Sequence, residues 1–378
     1  MNILFVSNDP AIFDPKSASR ARMRAYAAEM PEGELHIISR APRGAREEKD
    51  GTLFLHPVHV PRSLILFLLP RRVHELILKH AIDIVSAQDP FEYGCIALRA
   101  REGTSAKLYV QIHTDFLSPW FIRAGNIRSP QVRMPFLNSV RRRFADKVLP
   151  QADGIRVVSK RIKDSLIARY GTTIKEPSVI PIMVSRELPP AVPLPSHNFA
   201  FVFMFVGRLE PEKRVEDIID ALARIHIQYP QAGLVIVGSG REQRRLVRYA
   251  RKFRLQNHVL FLGARPDARG LMQSAHTLVQ ASAYEGYGLT LIEAALARVP
   301  IITTDVGIVG EVFQGYRDVL AVPVADPAAL SVAMVGIMED RQTRGMLVRS
   351  AELVANQHLD ALREQPRLMF EDMKRLVV

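Results

Sequence analysis

Residues Ala281–Phe313, ASAYEGYGLTLIEAALARVPIITTDVGIVGEVF, decide how the chain is read. His276–Ala281 is an apolar run of strand length, and glycines at 286 and 288 break it. Leu289, Ile292 and Leu296 then recur at helical spacing before a second apolar run, Val299–Thr303. The order is strand, loop, helix, strand. Two carboxylates punctuate it: Glu285 in the glycine-flanked loop and Glu293 about one turn into the helix. If only helix lay between them they would be roughly 12 Å apart at 1.5 Å per residue, a spacing for two ends of an extended ligand and not for a shared proton. The helix that starts near Gly288, with Leu289 in its first turn, offers unpaired N–H groups and partial positive charge beyond the strand's carboxyl end, which suits a phosphate. Gly286 and Gly288 keep side chains away from such a guest. Taken alone, the same residues also read as a loop acid, a solvated helix acid and two turn formers. The upstream sequence has to decide.

A chain of 378 residues with 48% hydrophobic and 24% charged residues is globular and long enough for two domains, each with its own core. The apolar run around Ser63–Leu69 is far short of the roughly 20 residues that a spanning helix needs. Met1–Ser7 runs directly into a strand pattern, with no basic lead or long apolar core, and is not read as a signal peptide. The single cysteine, Cys95, leaves no intrachain disulfide framework and no cysteine-based zinc site, which fits a reducing, cytoplasmic setting. A net charge of +12 implies attraction to polyanions without choosing among nucleic acid, anionic lipid and phosphate-bearing substrate. The basic clusters are Arg71-Arg72, Arg141–Arg143 and the series Arg241, Arg244, Arg245, Arg248, Arg251 and Lys252, whose spacing is that of a solvated helix face. None is interleaved with the aromatics of a single-strand binding surface, so no nucleic-acid partner is expected.

In chain order, Ile3–Val6 opens as a strand, and a long loop, Ser7–Ser19, leads to a helix over Ala18–Met30 that Pro31 ends. Strands follow at Leu35–Ser39, Leu53–Val60, Ile82–Ala87, Lys107–Ile112, Gly154–Val158 and Ser178–Pro181. Helices fall between them at Arg71–His80, Pro90–Arg101, Met134–Leu149 and Lys160–Tyr170. This alternation means a parallel sheet with right-handed crossovers. Four prolines within residues 186–198 mark a linker. The second half repeats the rhythm: Phe199–Val206, a helix carrying Val215, Ile218, Ile219, Leu222 and Ile225, then Leu234–Val237, the basic helix, Val259–Leu262, a short helix near Leu271, the opening unit, Leu320–Val324 and the helices Pro327–Glu339 and Gln342–Ala355. The expected fold is α/β, with two Rossmann-like doubly wound parallel-sheet domains facing each other across a cleft. Residues 1–185 form the first, 186–198 the linker and 199–359 the second, with a helix at about 360–378 packing back on the first.

Open parallel sheets bind ligands beyond the carboxyl ends of their strands. Val206-Gly207, Val237-Gly238 with Gly240, Leu262-Gly263 and the Gly286 loop would all deliver residues to one such edge. Arg208 and Lys213 would hold a diphosphate there, the arginine by its planar fork and the lysine as a point charge. Glu293 could accept hydrogen bonds from two sugar hydroxyls. Arg208 and Lys213 also fit surface pairs with Glu210 or Glu212, and a Gly-x-Gly alone fits a turn. Neither a Walker loop nor a full Gly-x-Gly-x-x-Gly fingerprint occurs, which argues against P-loop hydrolysis and dinucleotide redox chemistry.

Together, Phe205–Arg214 (FVGRLEPEKR), Val237–Gly240, and Glu285–Glu293 followed by Pro300, Thr303–Gly307 and Glu311 resemble the retaining glycosyltransferases of family 4, of the two-Rossmann GT-B type. The resemblance is specific over Phe199–Phe313 and weak before it. It implies that Arg208 and Lys213 bind the donor diphosphate, that Glu293 binds the donor ribose and that Glu285 lies beside the transferred sugar. It also implies that His113, at the end of a first-domain strand, sits near sugar and acceptor. Family members usually carry a Gly-Gly loop after the first strand; here that region is Asn8–Ser19, and Ser17, Ser19 and Arg20 are the candidates for acceptor contacts.

The expected activity is transfer of a sugar from a UDP- or GDP-linked donor to a glycan or lipid-linked acceptor, with retention and with no metal or other cofactor, in cell-surface polysaccharide or glycolipid assembly. Leu64–Leu69 with Arg71-Arg72, and Arg141–Arg143, could rest on an anionic membrane, and core packing explains the same apolar residues. Two other classes stay open. A nucleotide-sugar epimerase of the same form would share the phosphate ligands but need no acceptor, and a basic nucleic-acid binder would show steeply salt-dependent affinity.

Overall fold

The computed structural model describes residues 1–30, 32–123 and 135–377. The expected helix start at Met134 lies outside them. Contacts divide the chain into two units. The first holds Met1–Leu117, Phe136–Met183 and Leu362–Val378; the second holds Val184–Ala361 and the segment that starts at Ser118.

The sheet of the first unit contains β1 (Ile3–Ser7), β2 (Leu35–Arg40), β3 (Glu48–Asp50), β4 (Leu53–Val58), β5 (Ile84–Ala87), β6 (Lys107–Ile112), β7 (Gly154–Val157) and β8 (Ser178–Val179). Their order across the sheet is β3-β4-β2-β1-β5-β6-β7-β8. The chain winds outward from β1 in one direction and then, from β5, in the other. Ile3, Leu4, Phe5 and Val6 are all buried, as expected of a strand covered on both faces.

Two features depart from the sequence reading. β3 pairs antiparallel with β4, so the sheet is not wholly parallel. Its residues are polar because Glu48 and Asp50 face Arg20, whose guanidinium is fully buried. The helix expected at Arg71–His80 begins instead at Ile65 and runs through Pro70 to Lys79. Proline lacks the N–H that would have reached the carbonyl of Leu66. Arg99 Nη1 donates to that carbonyl at 3.3 Å, which lets the helix continue.

The second unit contains β9 (Phe201–Val206), β10 (Ala232–Val237), β11 (Val259–Gly263), β12 (Thr277–Val279), β13 (Ile301–Thr304) and β14 (Leu320–Val322). All pairings are parallel, in the order β11-β10-β9-β12-β13-β14. The switch of direction falls between β9 and β12. The helix Val215–Ile225 buries Val215, Ile218, Ile219, Leu222 and Ile225 against this sheet, the stripe that its 3.6-residue period prescribes.

The proline-rich segment is docked, not slack. Val192 N donates to Gly270 O (3.1 Å), Ser274 Oγ to Val192 O (2.7 Å) and Gln273 Nε2 to Pro189 O (2.7 Å). Residues 362–377 return to the first unit through the helix Gln365–Lys374, which buries Met369 and Met373. Gln365 Nε2 donates to Tyr26 Oη (3.1 Å) and to Pro181 O (3.0 Å), and Ser178 Oγ donates to Asp372 at 2.6 Å.

Candidate active site

At the carboxyl edge of the second sheet the loops after β9, β10 and β11 pack backbone against backbone. Gly207 N donates to Val237 O (3.0 Å), Leu209 N to Ser239 O (2.9 Å) and Gly238 N to Gly263 O (2.7 Å). A Cβ on Gly238 would stand 1.8 Å from the carbonyl oxygen of Gly207, and one on Gly240 would stand 2.3 Å from that of Leu209. Close approach therefore accounts for both glycines.

After β9 the chain forms a short 3-10 turn, Pro211–Lys213, and then turns into the helix Val215–Ile225 through Arg214, at φ +46°. A left-handed conformation at a side chain of this size is strained. It is held by a buried, two-pronged pair with Asp217, at 2.6 and 2.9 Å. This turn fixes where Lys213 points.

After β12 the loop Ser282–Gly288 carries Glu285. Ala283 N donates to Glu212 O (2.7 Å), which ties the two loops together across the switch point. Lys213 Nζ is ion-paired with Glu285, and the two side chains are only 15% and 14% exposed. Ser282 Oγ donates to the same carboxylate at 2.7 Å. Gly307, at φ +61°, lies under the loop, where a Cβ would meet Tyr287 O at 2.4 Å. The helix Leu289–Leu296 begins at Gly288, at φ +100°, with no side-chain cap. Its first N–H groups and its dipole are therefore presented at the head of the loop that holds Glu285.

Arg208 extends from the same β9 loop with its side chain 73% exposed and donates to Glu212 at 3.2 Å. Both expected diphosphate cations thus rest on carboxylates. Glu293 pairs with Arg269 Nε at 3.7 Å, and burial raises its pKa while Arg269 partly opposes the rise. The carboxylates Glu285 and Glu293 are therefore held by different cations.

In the first unit, His113 follows β6. Its Nε2 is buried without a hydrogen-bond partner, and burial, then the charges of Arg156 and Arg22, bring its pKa down to about 3. Arg156 is committed to Ile180 O (2.8 Å), Pro181 O (2.7 Å) and Gln111 Oε1 (2.7 Å).

The loop after β1 is built by the residues expected to touch an acceptor. Ser17 caps the helix Ala18–Ala28, accepting from Arg20 N at 3.0 Å, and donates to Ala11 O at 2.7 Å. Ser19 Oγ donates to Asp9. Arg20, fully buried, donates to Asp50 (3.0 Å), Ile12 O (3.1 Å) and Glu48. As the structure stands, Arg20 holds this loop and offers no open donor fork. Sequence reasoning passed over Arg214, Asp217 and Arg269; the Arg-x-x-Asp spacing of the first two was a legible signal, whereas nothing local marks Arg269.

Residues 194–354 match the family of glycosyl transferases group 1, and residues 23–188 match glycosyltransferase family 4. The chain belongs to the group 1, family 4 glycosyltransferases. The glycosyltransferase is 30% identical over 204 residues to a glycogen synthase of Mycobacterium tuberculosis, a match that covers 53% of this chain and 49% of that protein. It is 31% identical over 162 residues to the lipopolysaccharide 1,6-galactosyltransferase of Salmonella typhimurium, covering 41% and 43%. The chain spans about half the length of the relatives it matches. Its two-sheet architecture is the GT-B fold, shared with sucrose-phosphate synthase from Thermosynechococcus elongatus at a TM-score of 0.82, 21% identity and coverage of 100% and 99%. The Anabaena protein HepE, solved in complex with UDP and glucose, superposes at 0.74, with 20% identity and coverage of 99% and 100%.

Proposed function

We propose that this glycosyltransferase moves a sugar from a UDP- or GDP-linked donor to an acceptor hydroxyl of a glycan or lipid-linked glycan, with retention at the anomeric carbon. The observation that carries the reading is the Lys213–Glu285 pair at the switch point of the second sheet, beside an uncapped helix N-terminus. As the bond from anomeric carbon to phosphate oxygen breaks, negative charge grows on the diphosphate. Lys213, Arg208 and the N–H groups of the helix Leu289–Leu296 oppose it, and preorganised charge of this kind is usually the largest contribution to catalysis. Binding requires an exchange of partners: the diphosphate takes Lys213 from Glu285 and Arg208 from Glu212. Glu285, released, faces the sugar as positive charge develops on the ring. Glu293 accepts the ribose hydroxyls. We assign the acceptor to the first unit, with His113 as a neutral imidazole on that side. No metal is required at the diphosphate, because the two cations supply its counter-charge. HepE, whose complexes contain UDP and UDP-glucose, and relatives named for glycogen and lipopolysaccharide synthesis support this donor and acceptor class.

Among the described residues no helix is long and apolar enough to cross a membrane. The helix Ile65–Lys79 and its lead-in do expose Leu64, Phe67 and Leu68, with Arg71 alongside. We propose that this face rests on anionic lipid, where a lipid-linked acceptor would be met. Arg141 is turned away from such a role by its pairing with Glu92 at 3.0 Å.

A thermal-shift panel of UDP-, GDP- and ADP-sugars tests the donor, since a ligand at 100 times its Kd stabilises the folded state by about 2.7 kcal/mol. No shift with any of the three would overturn the reading. Product analysis on donor alone separates transfer from epimerisation, which would yield an isomerised donor sugar.

A further inference from the structure

Three imidazoles meet in the first unit, on residues that the transfer reaction does not use. His36 on β2 pairs in register with Phe54, and His56 on β4 with Ile38, so His36 and His56 are diagonal neighbours on one face of the sheet. His80 ends the helix Ile65–Lys79, and its ring centroid lies 4.3 Å from that of His36 and 5.7 Å from that of His56. One ligand nitrogen from each of the three can be chosen so that all lie within 4.8 Å of one another.

The outer nitrogens are already assigned. His36 Nε2 stands 3.1 Å from Glu34 Oε2, and His56 Nδ1 stands 3.4 Å from Glu47 Oε1. A carboxylate only accepts, so each neutral imidazole places its proton on that outer nitrogen. The inner nitrogens, His36 Nδ1 and His56 Nε2, are then both lone pairs, yet they are 3.0 Å apart. Two lone pairs at that distance repel unless a proton or a metal cation lies between or beside them. His80 Nε2 is buried with no hydrogen-bond partner, which supplies an uncommitted third nitrogen. Carboxylates behind ligating imidazoles are what fix the tautomer in transition-metal sites. Zinc–nitrogen bonds of about 2.0–2.1 Å set nitrogens roughly 3.3 Å apart around a tetrahedron, so His36 and His56 are nearly in place and His80 has to move inward.

We propose that His36, His56 and His80 bind a divalent transition-metal cation of the zinc class, with Glu34 and Glu47 orienting two of the ligands and a fourth position left to water. Such a cation ties two neighbouring strands to the end of a helix, and its effect falls on the stability of the first unit.

The test uses the full chain, treated with EDTA, desalted and titrated with Co2+ and then Zn2+. The expected result is one Co2+ per chain with the visible absorption of low-coordinate, nitrogen-ligated cobalt, displacement by Zn2+ and a melting temperature raised by several degrees. His80→Gln and His56→Gln, each checked for folding by circular dichroism, should lose the absorption and the shift. His258→Gln, which breaks the ring contact between His226 and His258, should keep both. Binding by the folded wild type weaker than about 100 μM, the outcome if a shared proton alone settles the cluster, would overturn the proposal. So would cobalt spectra that survive in His80→Gln and His56→Gln.

Discussion

At Lys213 one contact bears on stability and, in the proposed reaction, on chemistry as well. Lys213 and Glu285 are mostly buried, and removing one partner strands the other's charge, at a cost of about 3–5 kcal/mol. Lys213→Ala should therefore lower the melting temperature as well as kcat/KM, the latter by at least about 100-fold if it stabilises the leaving diphosphate. The double variant Lys213→Ala/Glu285→Gln should regain the melting temperature but not the turnover. Recovery of both would show that the lysine only neutralises the glutamate. His113 carries the pH dependence at this scale. Its pKa is about 3 in the folded chain, against an ordinary value near 6.5 when unfolded. The unfolded state therefore binds more protons between those limits, and stability is lost as pH falls below about 6.5. Melting curves from pH 7.5 to 5 should fall more steeply for the wild type than for His113→Gln; parallel curves would contradict the assignment. That Lys213, Arg208 and Glu285 gather at the strand ends of the second unit was legible, because glycine, arginine and acid lie within one loop or at helical spacing. The burial of Arg20 was not legible, because its partners Glu48 and Asp50 lie on a strand too polar and too short to show an alternating pattern.

Among the elements, the strand ends of the second sheet are the most sensitive. Gly238, at φ +145°, sits in a conformation nearly closed to other residues, at a cost of about 1–3 kcal/mol before any clash is counted. Gly238→Ala adds a methyl 1.8 Å from Gly207 O, so the loops after β9 and β10 have to separate. Its second unit should unfold at markedly lower urea, with nucleotide affinity lost in parallel. An unchanged midpoint would mean that the loops have slack. Element type and order could be read from the alternation of apolar runs and helical stripes, and most boundaries moved by only a few residues. The helix Ile65–Lys79 was read short because Pro70 ordinarily stops a helix, and the rescue by Arg99 is a contact between helices that no local pattern reveals. The docking of the proline-rich segment on the helix Ala268–Met272 was hidden for the same reason.

At the scale of the whole molecule, the first unit is completed by residues that lie beyond the second in sequence. Met369 is fully buried among Phe5, Tyr26 and Ile180 of the first core. Met369→Ala should cost about 2–5 kcal/mol and lower the melting transition of the first unit while leaving that of the second in place. Calorimetry resolves the two; loss confined to the second transition would refute the assignment of this helix. Gln365 meets Tyr26 across 339 positions of sequence. A ribosome therefore delivers the closing piece of the first unit only after the entire second unit has emerged. Until then Tyr26 and Ile180 wait uncovered, and the newborn amino-terminal half keeps an unsealed core.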